Sequence, residues 1–185
     1  QAEALDRFHI EGIQDNMPFC ASVMDETRFR SGNITTAYIK DEFPEGFQGT
    51  APTAAQTVML TVAAAYAHGV YVRRASQITG RMSPIEESRR DWVVILGGEH
   101  IPVVLDLGDG EATITIGDKA HSLVTDWVPG QPLFEAVLDG QPMAVKIADR
   151  TEGYLVRHRG VRMDALVCTP VVAEMHKRLP EKEKP

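Results

Sequence analysis

Asp106-Leu107-Gly108-Asp109-Gly110-Glu111 is the passage whose residue types come nearest to a cation-binding loop. A calcium loop needs oxygen-bearing side chains at alternate positions. Gly108 and Gly110 stand where two of them belong, so the passage reads as a hairpin turn. His100, His121 and His158 fall on three different predicted strands and could bind a metal or move a proton only by converging. Their spacing is not that of a zinc site, and they read as ordinary strand residues. Cys168 could act as a nucleophile, but no basic neighbour in sequence would lower its pKa, so it reads as a buried structural thiol. Cys20, on the apolar face of a predicted helix, is read the same way. Lys146 follows Met143-Ala144-Val145 in mid-strand, not at a hairpin tip between two methionines where a biotinyl lysine belongs, and reads as part of a solvated strand face. There is no G-x-G-x-x-G, Walker loop, G-x-S-x-G or H-E-x-x-H pattern. No catalytic, cofactor-binding or metal-binding residues are therefore expected.

The bulk properties narrow the class further. The 185 residues are 43% apolar and 24% charged, an ordinary balance for about one folded domain. The 19 Lys and Arg against 26 Asp and Glu leave a net charge of −7, without the basic excess a nucleic-acid binder needs. Two cysteines make no disulfide framework and suit a reducing compartment. The stretch 54–72 is long enough to mimic a membrane span, but it is rich in Ala and Thr and contains Gln56 and His68. No membrane association is expected. The first residue is Gln1, and Glu181-Lys182-Glu183-Lys184-Pro185 reads as a linker, so both ends are expected to be cuts within a longer protein.

Charge divides the chain in three: residues 1–50 carry −5, residues 51–91 carry +2 and residues 92–185 carry −4. The first segment predicts short helices, one after Asn16-Met17-Pro18 with Asn16 as its cap, and one over 35–41. It holds too little apolar material to fold alone and reads as the edge of a neighbouring domain. The second segment predicts one helix from Thr53, its cap, to about residue 79. Val58, Met59, Leu60, Val62, Tyr66, Val70 and Tyr71, with four alanines among them, make it apolar on every face, so it must be surrounded. Its basic end, Arg73 and Arg74, is expected to leave the core. The third segment predicts eight strands, near 92–96, 100–106, 111–116, 120–127, 133–138, 142–148, 154–158 and 161–168, joined by short Gly-bearing turns. Such turns force antiparallel neighbours. A short helix over 170–179 follows.

A helix that is dry all round and eight strands that are each dry on one face have one joint solution. The strands close around the helix as a wide or partly open barrel. The expected fold class is α+β: a long central helix surrounded by an eight-stranded antiparallel barrel, preceded by short helices. A small-molecule-binding barrel of the lipocalin type is the rival, and it would need an empty interior with the helix packed outside. The connection 80–91 sets Met82 and Ile85 among charges; it suits either a solvated linker or a contact with another protein.

Three passages carry a family resemblance. His9-Ile10-Glu11-Gly12-Ile13-Gln14-Asp15-Asn16-Met17-Pro18-Phe19 and Arg28-Phe29-Arg30-Ser31-Gly32-Asn33-Ile34-Thr35-Thr36 resemble the end of the biotin carboxylase domain of biotin-dependent acyl-CoA carboxylases. Tyr38-Ile39-Lys40-Asp41-Glu42-Phe43-Pro44-Glu45-Gly46-Phe47-Gln48-Gly49 looks like the α subunits of the propionyl-CoA branch in particular. The remainder, including Ala173-Glu174-Met175 and the ending Leu179-Pro180-Glu181-Lys182, is similar to the connecting biotin transfer (BT) domain of the same subunits. The resemblance implies a carboxylase remnant at 1–49, a BT domain at 50–180 (helix 53–79, hook 80–91, barrel 92–168) and a linker at 181–185 toward a biotin carrier domain. It implies a non-catalytic part of a ligase that carboxylates propionyl-CoA, or another acyl-CoA, to products such as methylmalonyl-CoA. The parent enzyme would use ATP, Mg2+ or Mn2+, bicarbonate and biotin, none of them held by this stretch. It would assemble as a large α/β hetero-oligomer in bacterial cytoplasm or mitochondrial matrix. The hook would dock the carboxyltransferase β subunit, with Met82, Pro84 and Ile85 as apolar anchors, Glu86, Arg89 and Arg90 as rim charges, and Arg81 and Ser83 beside them.

Overall fold

The computed structural model describes residues 2–10, 15–80 and 89–179. Four short helices come first: α1 (Ala2–Arg7), α2 (Met17–Asp25), α3 (Thr27–Arg30) and α4 (Tyr38–Glu42). The long helix α5 (Ala54–Ser76) follows, then β1 (Asp91–Leu96), β2 (Glu99–Leu107), β3 (Glu111–Ile116), β4 (Lys119–Val124), β5 (Leu133–Leu138), β6 (Gln141–Asp149), β7 (Tyr154–His158), β8 (Val161–Cys168) and the closing helix α6 (Pro170–His176). Each strand pairs antiparallel with the next, and β1 pairs with β8, so the sheet is a closed barrel.

α5 runs through that barrel. Leu60 to Ala67, Gly69 and Val70 are all buried. The helix touches β1, β2, β3, β6, β7 and β8, and Tyr66 meets Phe134 of β5 edge-on at 5.7 Å. The inward positions of the strands complete one core: Trp92, Val94, Leu96, Ile101, Val103, Leu105, Ile114, Leu123, Met143, Val145, Val156 and Val167 among others. The interior is thus occupied by the chain's own helix, which removes the empty cavity that the lipocalin-type rival required. Small residues make the fit possible. Ala63, Ala64, Ala65 and Ala67 bring the helix close to the wall, and a methyl group on Gly69 would overlap Leu105 Cδ2.

The barrel is closed rather than partly open, but one seam is short. β4 and β5 pair only through Leu123↔Leu138 and Val124↔Val137. β4 ends at Val124, three residues before the expected 127: Thr125 N still donates to Gly110 O at 2.8 Å, but Thr125 meets β5 through its side chain. Its Oγ1 donates to Glu135 O at 2.5 Å and accepts from Trp127 N at 3.1 Å. Trp127 then folds over Phe134, ring centroids 5.4 Å apart, and its indole N–H donates to Gln131 O at 2.8 Å. The extra width needed for a helix inside eight strands is filled there by an aromatic side chain.

Several local expectations are met and others shift. Thr53 caps α5: its Oγ1 accepts from Gln56 N at 3.3 Å, while Gln56 Oε1 accepts from Thr53 N at 2.9 Å. Thr53→Ala is expected to lower stability by about 1 kcal/mol, read as a shift in the urea midpoint. α5 ends at Ser76 instead of residue 79, where Gln77 N and Ile78 N bond to Arg74 O and Ala75 O in a tighter last turn. Asn16 precedes α2, yet its side chain caps nothing; Asp15 Oδ1 accepts from Met17 N at 2.9 Å instead. The helix expected over 35–41 is Tyr38–Glu42, with Tyr38 buried against Phe29 and its hydroxyl on Glu26. Outside the barrel, α6 covers β1 and β8 through Ala173 on Val93, Ile95 and Cys168.

Candidate functional site at the mouth of the barrel

The expected hook spans 80–91. Of its proposed contact residues, Arg81, Met82, Ser83, Pro84, Ile85 and Glu86 lie outside the described residues, whereas Arg89 and Arg90 lie within them. Described residues on both sides of this segment line one mouth of the barrel. α5 reaches it with Arg73, and β1 starts from it after Arg90. Both arginines, with Arg89, Trp92 and Asp106, line a single cleft of about 720 Å³. Arg90 is tied down there: its guanidinium meets Asp106 at 2.7 Å, and its carbonyl accepts from Leu105 N at 2.9 Å. It therefore sits as an extension of the β1–β2 ladder.

Arg73 leaves the apolar core as expected, but it does not run free into solvent. It folds back and donates to Gly108 O at 2.9 Å and to Asp109 at 3.0 Å. The β2–β3 turn considered as a calcium loop is thus occupied by a guanidinium, and Gly108 N closes it on Glu111 O at 2.8 Å. Arg74, one residue on, is exposed. Around the mouth stand exposed apolar side chains: Tyr71 and Ile78, each 62% exposed, and Val128, 52% exposed on the loop after β4. Val128 and Pro129 share a second cleft with Arg73, Arg74 and Gln77.

His68 underlies this mouth and was not singled out by any sequence pattern. Its ring packs edge-on against Trp92 at 4.6 Å and stacks near Tyr71 at 6.4 Å. Burial alone holds its pKa down at about 4, against an ordinary 6.5. Between pH 6.5 and 4 the unfolded chain takes up a proton that the folded chain refuses. Stability is therefore expected to fall as pH drops through that window, by on the order of 2–3 kcal/mol, and this loss levels off below about 4. His68→Leu should flatten that slope in urea titrations between pH 7 and 4.

The other chemistry-bearing residues do not come together. His100 lies outside the barrel near His176 of α6, centroids 5.6 Å apart. His121 is buried in the middle of β4, with Nδ1 2.7 Å from Asp139. That imidazole and Ser122 N hold the Asp139 carboxyl below its ordinary range. His158 Nδ1 lies 2.9 Å from Ala144 O. Among the described residues, no three His, Cys, Asp or Glu side chains are placed to hold a metal. Cys168 is the buried thiol expected, and burial raises its pKa. Cys20 is exposed, contrary to expectation, because α2 packs through Ala21, and the preceding residue is turned about 100° away. Lys146 is not solvated: α1 covers it, Leu5 O accepts from its Nζ at 3.0 Å, and burial lowers its pKa. Within the stretch 54–72, Leu60 to Ala67, Gly69 and Val70 are buried inside the barrel, and no described helix is long and apolar enough to cross a membrane.

Residues 60–182 match the family model described as propionyl-coenzyme A carboxylase BT domain. The chain is similar to the propionyl-CoA carboxylase alpha chain of Ruegeria pomeroyi, 38% identical over 184 residues that cover 98% of this chain and 27% of that protein. It is likewise similar to the mitochondrial propionyl-CoA carboxylase alpha chains of Caenorhabditis briggsae, 43% identical over 205 residues, and of Homo sapiens, 26% identical over 188 residues. The chain spans about a quarter of the length of these curated relatives: 27% for the first two and 26% for the human protein.

Proposed function

Since this chain belongs to the propionyl-coenzyme A carboxylase BT domain family, we propose that it is the docking module that holds an α chain of such an enzyme to its carboxyltransferase β subunit. The observation that carries this reading is the geometry of the mouth. Arg73 near the end of α5 and Arg89 and Arg90 just before β1 line one cleft at one end of a barrel filled by its own helix, beside exposed Tyr71, Ile78 and Val128. A rigid closed barrel suits a mount, because its shape does not depend on a bound ligand. The apolar anchors Met82, Pro84 and Ile85, outside the described residues, would enter the partner, with Arg81, Ser83 and Glu86 around them and Arg89 and Arg90 at the rim.

On this reading the parent enzyme uses ATP, bicarbonate and a divalent cation to carboxylate biotin, then passes the carboxyl group to propionyl-CoA to give methylmalonyl-CoA. No step of that chemistry is assigned to the described residues. Their contribution is positional. Holding the two active sites at a fixed separation keeps a tethered biotin at high effective concentration at both. The names of the relatives place such enzymes in bacteria and in mitochondria, which suits a bacterial cytoplasmic or mitochondrial matrix protein.

The reading is tested by sedimentation of the chain with carboxyltransferase β subunits specific for different acyl-CoAs. Co-migration with the propionyl-CoA-specific subunit is the expected result. Co-migration only with a subunit for another acyl-CoA would reassign the substrate, and migration apart from all of them would overturn the docking role.

A further inference from the structure

Helices α1 and α2 lie on the outer wall of the barrel, over β6 and the turn between β7 and β8. Their contact has an unusual chemistry. The large apolar core of the barrel includes no residue before Val58, so the described part of 2–52 is not held by that core. The two segments are also both acidic overall, −5 for 1–50 and −4 for 92–185, so as whole bodies they repel.

Locally the sign reverses. The barrel face presents Lys146, Arg157 and Arg159, and the helices and the residues just before α2 present Asp6, Asp15 and Asp25; all but Asp25 line the same small pocket. Arg159 is the centre. Its Nη1 donates to both carboxylate oxygens of Asp25, at 2.9 and 2.8 Å, and its Nε to Asp6 at 3.3 Å. Asp6 is 8% exposed, and Arg159 is its ion-pair partner. Arg159 holds φ +53, a left-handed backbone that glycine adopts freely and arginine rarely. The adjacent Gly160 is approached so closely that a methyl group there would overlap Ser22 Oγ, and its carbonyl accepts from Thr50 N at 3.1 Å. Finally, Asp6 Oδ1 and Arg157 Nε are buried and make no hydrogen bond to protein, and both residues line a pocket of about 20 Å³. That is room for one water, with an acceptor and a donor to bridge.

We propose that this contact is a hydrated ionic joint in which Arg159 is the positioning residue that registers the N-terminal helices on the barrel. The network runs Asp25–Arg159–Asp6–water–Arg157, with Lys146 closing the end of α1. The occupant of the pocket is a single water. Charge pairing, not apolar burial, sets the angle at which α1 and α2 leave the barrel, so the joint opens without unfolding it.

The test is amide hydrogen exchange on the full 185-residue chain, which needs neither partner nor activity. Arg159→Gly removes the guanidinium while suiting the left-handed backbone, so the turn itself is kept. In that variant, and in the native chain in 1 M salt where the screening length shrinks to about 3 Å, exchange in α1 and α2 should rise about tenfold or more. Exchange in β7 and β8 should stay unchanged, and Arg159→Lys should restore part of the protection. Unchanged protection of α1 and α2 in Arg159→Gly would overturn the proposal, as would simultaneous loss of protection in the barrel strands.

Discussion

Replacing Phe134 by alanine is expected to remove about 3–5 kcal/mol of stability, the largest loss of any single truncation in this core. Phe134 is fully buried on β5 and lies between Tyr66 of the central helix and Trp127 of the loop beyond β4. It stands beside the seam where β4 and β5 share only two residue pairs. At an ordinary position the surrounding wall could relax into part of the space. Here the helix cannot shift toward the space without opening a gap on its other side, where Gly69 packs against Leu105. The cavity therefore persists and the full cost is felt. Urea unfolding of Phe134→Ala should show a lowered midpoint with an unchanged slope. A slope that falls would instead mean that the native barrel has loosened. Phe134→Leu should recover more than half of the loss.

The second large effect concerns association. Changing Met82 and Ile85 together to aspartate should weaken binding to the carboxyltransferase subunit by more than about 100-fold, while urea unfolding of the barrel stays unchanged. Apolar anchors at the centre of an interface each contribute roughly 2 kcal/mol or more, and a carboxylate forced into their pocket adds a desolvation cost. Arg90→Glu gives the contrast. Its charge already pairs with Asp106, so reversal should change the association rate and its salt dependence more than the dissociation rate. Sedimentation with the purified subunit measures the first and stopped-flow mixing the second. Full binding by the double aspartate variant would move the docking surface away from the hook.

Much of the fold was legible because it follows from short-range periodicity. Val58 to Tyr71 are apolar on every face, and no arrangement leaves such a helix wet. Met143, Val145 and Ile147 alternate with Lys146, and two-residue turns such as Asp139-Gly140 dictate antiparallel neighbours. From these two facts alone the barrel around a helix follows. The end of β4 slipped at a single side chain: Thr125 meets β5 through its hydroxyl on Glu135 O, a contact with no local signature.

Residues that pair across long separations were not legible. Asp6 and Asp25 lie 153 and 134 residues from Arg159, and nothing near any of the three marks them as partners. Lys146 looked solvated since alternation tells which face a strand residue takes, but not whether a helix from elsewhere covers that face. Cys20 looked buried for the complementary reason: an apolar face is only buried if something packs on it, and Ala21 faces the barrel instead. His68 gave no hint of its displaced pKa, because that depends on Trp92 arriving from the next element.

By itself the sequence determined the class of fold, the family, the segment joining helix to barrel and the lack of any familiar catalytic pattern. Each of these is written in neighbouring residues or in spacing of a few residues. Only the tertiary structure decided that the barrel closes fully, with a short seam between β4 and β5. It also decided that Arg73 and Arg90 converge on one mouth and that Arg159 is the joint between the two acidic segments. Those outcomes depend on which distant groups meet, and charge and burial act through space, not along the chain.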